Sequence, residues 1–172
     1  MKSIGKNPIT ERHQFLLNLT HLGELPRHLS LPSRYFGLFL ACDGRVASDE
    51  AVVEAARSLL DEGLVYLCSW GPECERVHDL FDSVIVERDP NETEKSVTLT
   101  SWHDDESLDE ALWYFLNAAF PTDDYREGCQ AELIAVVSNE AWAGQVKARL
   151  ADPQSLNRDV VGEDEVDAEP AA

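Results

Sequence analysis

The sequence predicts an α/β domain, a three-layer sandwich of four or five mainly parallel strands with helices on both faces, in the Rossmann-like or flavodoxin-like range. Three observations predict it. Short apolar runs at Tyr35–Cys42 (YFGLFLAC), Leu64–Cys68 (LVYLC) and Leu133–Val137 (LIAVV) have the length and composition of strands covered on both faces. Amphipathic stretches of helical length, each with its own start or stop signal, lie between and after them. Their alternation implies right-handed crossovers, which build a parallel sheet between two helical layers.

Each element follows in order. Residues 1–33 read as an N-terminal arm: leucines are dense, Pro26 and Pro32 forbid one long helix, and a short helix around Thr10–Leu22 is expected before an extended stretch. The α/β domain spans 34–151. After the first strand, Ser48 caps a helix with Asp49 and Glu50 in its first turn, Val52, Val53, Ala56, Leu59 and Leu60 on its inner stripe, and Gly63 at its stop. The second strand is Leu64–Cys68. Pro72 opens the next helix, on which Cys74, Val77, Phe81 and Val84 recur at helical spacing. The β-branched run Val84–Ile85–Val86 suggests a strand over Val84–Arg88, pairing as a hairpin across the Asp89-Pro90-Asn91 loop with the alternating Ser96–Ser101. Ser107 and Glu110 have capping-box spacing, and the helix they open ends before Pro121. Thr122–Gln130 reads as a polar loop, Leu133–Val137 as a central strand, and Asn139 as the cap of a last helix bearing Trp142, Val146 and Leu150. Beyond Asp152 the periodicity ends, and 152–172 is expected to be an acidic, solvated tail.

Composition narrows the function. Thirty-three acidic residues against 14 basic give a net charge of −19, so the basic stripe needed for phosphate contacts is missing and nucleic acid is disfavoured. The same field disfavours anionic membranes and suits a basic protein or a cationic ligand. High negative charge also serves solubility alone. No apolar run has the length of a membrane span or of a secretory signal, and the four cysteines are few for the length, which suits a reducing, cytoplasmic setting.

In an open parallel sheet, ligands bind beyond the carboxyl ends of the strands. Those ends supply Asp43, Cys68, Trp70, Cys74, Trp102, His103 and Asn139, the expected ligand rim. Trp70 and Trp102 each follow a serine at a strand end and would form an aromatic wall for a cation or flat ligand, unless they simply seal the sheet by packing. Cys74, in a first helical turn with His78 one turn on, has the placement of an activated thiol. Against this, it shares a face with Val77 and Phe81 and should point into the core, where burial raises a thiol pKa. No metal is expected, because the six-residue spacing of Cys68 and Cys74 is not that of a zinc knuckle. No cofactor is expected either: the first strand is followed by one glycine, Gly44, rather than G-x-G-x-x-G, and no G-K-[ST] or G-x-S-x-G occurs.

Two segments, Leu64–Asp82 (LVYLCSWGPECERVHDLFD) and Thr98–Phe115 (TLTSWHDDESLDEALWYF), resemble a bacterial family described as a domain of unknown function, over about Tyr35 to Leu150. The resemblance implies a small stand-alone bacterial protein and supplies no catalytic residue. The leading expectation is therefore a cytosolic binding or interaction domain. A small enzyme with a thiol-dependent or hydrolytic site on the rim is the first alternative, and an acidic antitoxin or immunity-type protein the second.

Overall fold

The computed structural model describes residues 1–88, 90 and 96–162. Its strands are β1 (Lys2–Lys6), β2 (His13–Leu19), β3 (Tyr35–Ala41), β4 (Leu64–Trp70), β5 (Leu99–His103) and β6 (Cys129–Val137). Its helices are α1 (Asp49–Asp61), α2 (Cys74–Arg88), α3 (Leu108–Asn117), the short α4 (Asp123–Arg126), α5 (Glu140–Ala151) and α6 (Pro153–Val161). The strands form one sheet in the order β1-β2-β6-β3-β4-β5, parallel throughout except for β1, which runs antiparallel to β2. The architecture is the expected three-layer α/β sandwich, with six strands because the N-terminal segment supplies two.

The apolar strands alternate between two cores. Phe36, Leu38 and Leu40 of β3 face α1 and α2, joined by Leu22 and the partly buried Leu25, Leu29 and Leu31 of the β2–β3 connection. Phe39 and Ala41 face α3, α5 and α6. Local signals set the helix ends: Ser48 accepts from the Ala51 N–H, Ser107 and Glu110 form a reciprocal capping box, and Asn139 accepts from the Trp142 N–H. Gly63, at φ +99°, turns the chain from α1 into β4 where a Cβ would lie 2.0 Å from the Arg34 carbonyl oxygen.

Four expectations are corrected. Thr10–Leu22 is not a helix: His13–Leu19 is β2, paired with β6, and its sequence HQFLLNL, in which polar Gln14 shares a buried face with Leu16, shows no clean strand alternation to set it apart from a helix. Val84–Arg88 is not a strand but the end of α2, because Val84 and Ile85 continue the buried stripe and Arg88 reaches the Asp61 carboxylate at 2.8 Å. The hairpin does not form, and the later strand is Leu99–His103, parallel to β4. Asp89 and Asn91 of the expected loop lie outside the described residues. Finally, the chain beyond Asp152 first makes α6, with the Asp152 side chain as its cap and Pro153 at its first position; residues 163–172 are outside the described set. Among the described residues, no helix is long and apolar enough to cross a membrane.

A carboxylate holds the N-terminal strands in place. Glu132, in the middle of β6, is fully buried. It accepts hydrogen bonds from Asn7 Nδ2 (3.2 Å), Thr10 Oγ1 (3.0 Å) and Gln14 Nε2 (3.1 Å), with Arg12 Nη1 at 3.7 Å. Asn7 and Arg12 also donate to the Leu116 and Ala119 carbonyls, tying the β1–β2 turn to the end of α3.

Glu132→Ala leaves these donors without their acceptor and should cost about 3–5 kcal/mol, read as a lowered urea midpoint. Desolvation pushes the Glu132 carboxyl above the usual range, ahead of the opposing bonds from Gln14, Asn7 and Thr10. The folded chain thus holds this proton more tightly than the unfolded one. Its contribution to stability is largest below the ordinary glutamate value and is lost as pH rises through the raised value. The deficit of Glu132→Gln relative to wild type should therefore shrink across that window in a pH series of urea midpoints; a deficit that grows with pH would contradict this.

Candidate functional site

The seven residues of the expected rim all lie toward the carboxyl end of the sheet, but on both of its faces. Register decides this. Trp102 pairs with Ser69 and His103 with Trp70, so the two tryptophans are one residue out of phase. Trp70 turns toward α5, with its ring 5.0 Å from that of Trp142 and its Nε1 donating to the Glu106 carbonyl at 2.8 Å. Trp102 turns toward α2, 4.6 Å from the His78 ring. The aromatic wall does not form.

The cysteines are core residues. Cys68 is fully buried beneath α3, and Cys74 at the start of α2 is equally inaccessible. Burial pushes both thiols up, and it raises Cys42 and Cys129 to about 11. Among the described residues no three His, Cys, Asp or Glu side chains are placed to share a metal ion. Asn139 serves as the α5 cap. Asp43 is clamped by Arg45, whose Nε and Nη2 donate to it at 2.9 and 2.6 Å; these bonds hold its carboxyl below the usual range.

Asp43 borders a cleft of about 440 Å³ at the carboxyl ends of β2, β3 and β6. The neighbouring strands β3 and β6 send their chains to opposite faces, β3 into α1 and β6 into α5, so their loops part and leave a crevice. Thr20, His21, Leu22 and Gly23 close it from β2, Cys42, Asp43, Val46, Ala47, Ser48 and Ala51 from β3 and α1, and Val137 and Ser138 from β6. Hydrogen bonds tie its walls together. Arg76 donates to the Gly44 and Ala47 carbonyls and pairs with Asp49, fixing the β3–α1 loop. Ser138, at φ +61°, sends its N–H to the Leu19 carbonyl and its Oγ–H to the Thr20 carbonyl, each at 2.7 Å. Thr20 to Gly23 were missed in the sequence because that stretch was assigned to a helix instead of a strand end.

On the other flank, His103 is buried with its ring 4.8 Å from Tyr114. Its Nδ1 is 2.8 Å from Glu106 Oε2 and its Nε2 is 3.1 Å from Ser101 Oγ. Tyr66 OH lies 3.3 Å from the same Oγ and 3.4 Å from Tyr114 OH. The sequence places Ser101 and His103 together at a strand end but gives the serine no role and leaves out Glu106, although S-x-H-x-x-E across a strand end is a visible pattern.

Residues 15–153 match the model of a family described as a domain of unknown function (DUF7684), and the chain belongs to that family. The match takes in most of β2 and so begins upstream of Tyr35, where the motif resemblance started. Neither the curated proteins nor the solved structures gave a match.

The folded protein should resist alkylation by iodoacetamide at neutral pH, with all four thiols reacting only in denaturant, because each is buried. Intact-mass measurement gives the answer, and rapid modification of one cysteine in the native chain would restore the thiol-dependent reading.

Proposed function

We propose that the domain is a small-molecule binding module whose ligand sits in the cleft between the β2, β3 and β6 ends. The observation that carries this reading is the coincidence of a cleft of about 440 Å³ with the point where β3 and β6 diverge, the place where open α/β sheets bind ligands. Its volume falls within the range of about 300–1,000 Å³ typical of small-molecule sites. Leu22, Val46 and Val137 offer apolar contact, while Thr20, His21, Ser48 and Ser138 are polar points able to orient a ligand. Val46 is 76% exposed at the mouth, an apolar side chain that a bound ligand would cover.

Charge selects among ligands. The net −19 of the chain opposes anions, while Asp43 at the cleft is already paired with Arg45, so the ligand class is a neutral or cationic molecule with an apolar body. Four buried, unpaired cysteines support the reducing, cytoplasmic setting that the composition suggests.

The experiment is a screen of neutral and cationic aromatic and aliphatic fragments by ¹H–¹⁵N NMR on the full chain. Shift changes should gather at Leu22, Val46 and Ser138 and disappear in Ala51→Phe, which fills the cleft from α1. A screen with no hits there, or hits that survive the filled cleft, would overturn the reading.

A further inference from the structure

A second group of side chains, on edge strand β5 and two strands from β3, carries a chemistry that the cleft does not. Ser101 Oγ, His103 and Glu106 stand in line, 3.1 Å from hydroxyl to Nε2 and 2.8 Å from Nδ1 to carboxylate. Their partners fix the proton positions. An ionised carboxylate only accepts, so Nδ1 carries the hydrogen and Nε2 is left to accept from the serine hydroxyl, whose other acceptor is the Leu67 carbonyl at 3.5 Å. This is the order of nucleophile, base and orienting carboxylate.

The fold holds the three groups together. Ser101 and His103 are two apart on one strand and share a face. The turn into α3 brings Glu106 back over the ring, and Trp70 Nε1 pins that turn through the Glu106 carbonyl. His103 is buried and its orientation set, while Ser101 remains partly exposed. Beside the nucleophile, the Tyr66 hydroxyl at 3.3 Å donates to Tyr114 OH at 3.4 Å in the resting structure, and a rotation about its C–O bond turns that hydrogen toward a developing oxyanion. Burial raises the Tyr66 phenol, which keeps it protonated.

The opposite face of β5 gives a contrast. Thr100 Oγ1 is 3.0 Å from His78 Nε2, but it donates to Asp82 Oδ1 at 2.6 Å. Its proton is held by a carboxylate instead of an imidazole, so that hydroxyl is not activated.

We propose that Ser101 is a nucleophile activated by His103 and Glu106, and that the chain hydrolyses carboxylic esters of neutral or cationic character at the β5 edge. In the first step Ser101 Oγ forms a bond to the acyl carbon as its proton passes to His103 Nε2. The carbonyl oxygen takes the negative charge beside Tyr66 OH, then the C–O bond to the alcohol breaks and His103 returns the proton to it. Water then repeats the sequence, giving up a proton to His103, attacking the acyl carbon and releasing the acid as Ser101 recovers its proton.

The test is reaction of the full chain with an alkyl fluorophosphonate at neutral pH, the adduct being located by peptide mass spectrometry. One adduct is expected on Ser101 in the folded wild type and none there in Ser101→Ala. Labelling should slow by about 100-fold or more in His103→Gln, which lacks a base. It should also slow by about 100-fold or more in Tyr66→Phe, which keeps the ring and loses the donor. Circular dichroism and thermal unfolding establish that each variant is folded; should His103→Gln not fold, the wild type and Tyr66→Phe decide. Absence of an adduct on Ser101 in the folded wild type, an adduct on a tyrosine instead, or an unchanged rate in either folded variant overturns the proposal.

Discussion

A carboxylate in the centre of a parallel sheet is the constraint on which the rest depends. Glu132 faces an otherwise apolar layer, and nothing within the central strands can donate to it. The donors come from residues 7–14, and the β1–β2 unit is thus required by the chemistry of β6. The consequence reaches the other end of the sheet. β2 pairs with β6 residue for residue from His13↔Ala131 to Leu19↔Val137 with no bulge, so seating Gln14 on Glu132 also sets where β2 ends. Leu19 and Thr20 then receive the Ser138 bonds that wall the cleft. A slip of one residue would reverse the faces of Leu16 and Leu17 and misplace that wall.

What the sequence makes legible is the local chemistry. Ser48, Ser107 with Glu110, and Asn139 each signal a helix start by bonds made within a few residues, and all three caps are present. The central strands are readable for a similar reason, since burial on both faces leaves an unbroken apolar run. β2 (HQFLLNL) has no such run, because Gln14 and Asn18 interrupt its apolar residues, and what makes it a strand is its pairing with β6, a long-range contact that no local signal carries. Val84–Ile85–Val86 has strand propensity, yet packing against the sheet keeps it helical, a case of tertiary context overriding preference.

The site divides in the same way. Topology points to the carboxyl end of the sheet, where Asp43 borders the cleft. The pairing of Trp70 with Trp102 fails because two Ser-Trp dipeptides of the same local form enter the sheet one residue out of register, and no local signal carries register between separate strands. Ser101 and His103, by contrast, belong to a single strand, so their shared face follows from a spacing of two and needs no knowledge of register.

The electrostatics separate oxygen from sulfur chemistry in this chain. A thiol nucleophile must form an anion before it reacts, and burial beside carboxylates works against that anion: the raised thiols of Cys42 and Cys68 have desolvation as their first cause and nearby acidic groups as a further one. A serine hydroxyl is neutral until the moment of transfer and gives its proton to an imidazole. The charge that then has to be stabilised nearby is the positive one on His103, against which Glu106 stands at 2.8 Å. The excess of carboxylates that penalises a thiolate therefore opposes a cysteine mechanism while leaving a serine–histidine pair usable. It also bears on what can approach, since an anionic ester would be repelled before it reached β5 and a cationic one drawn in.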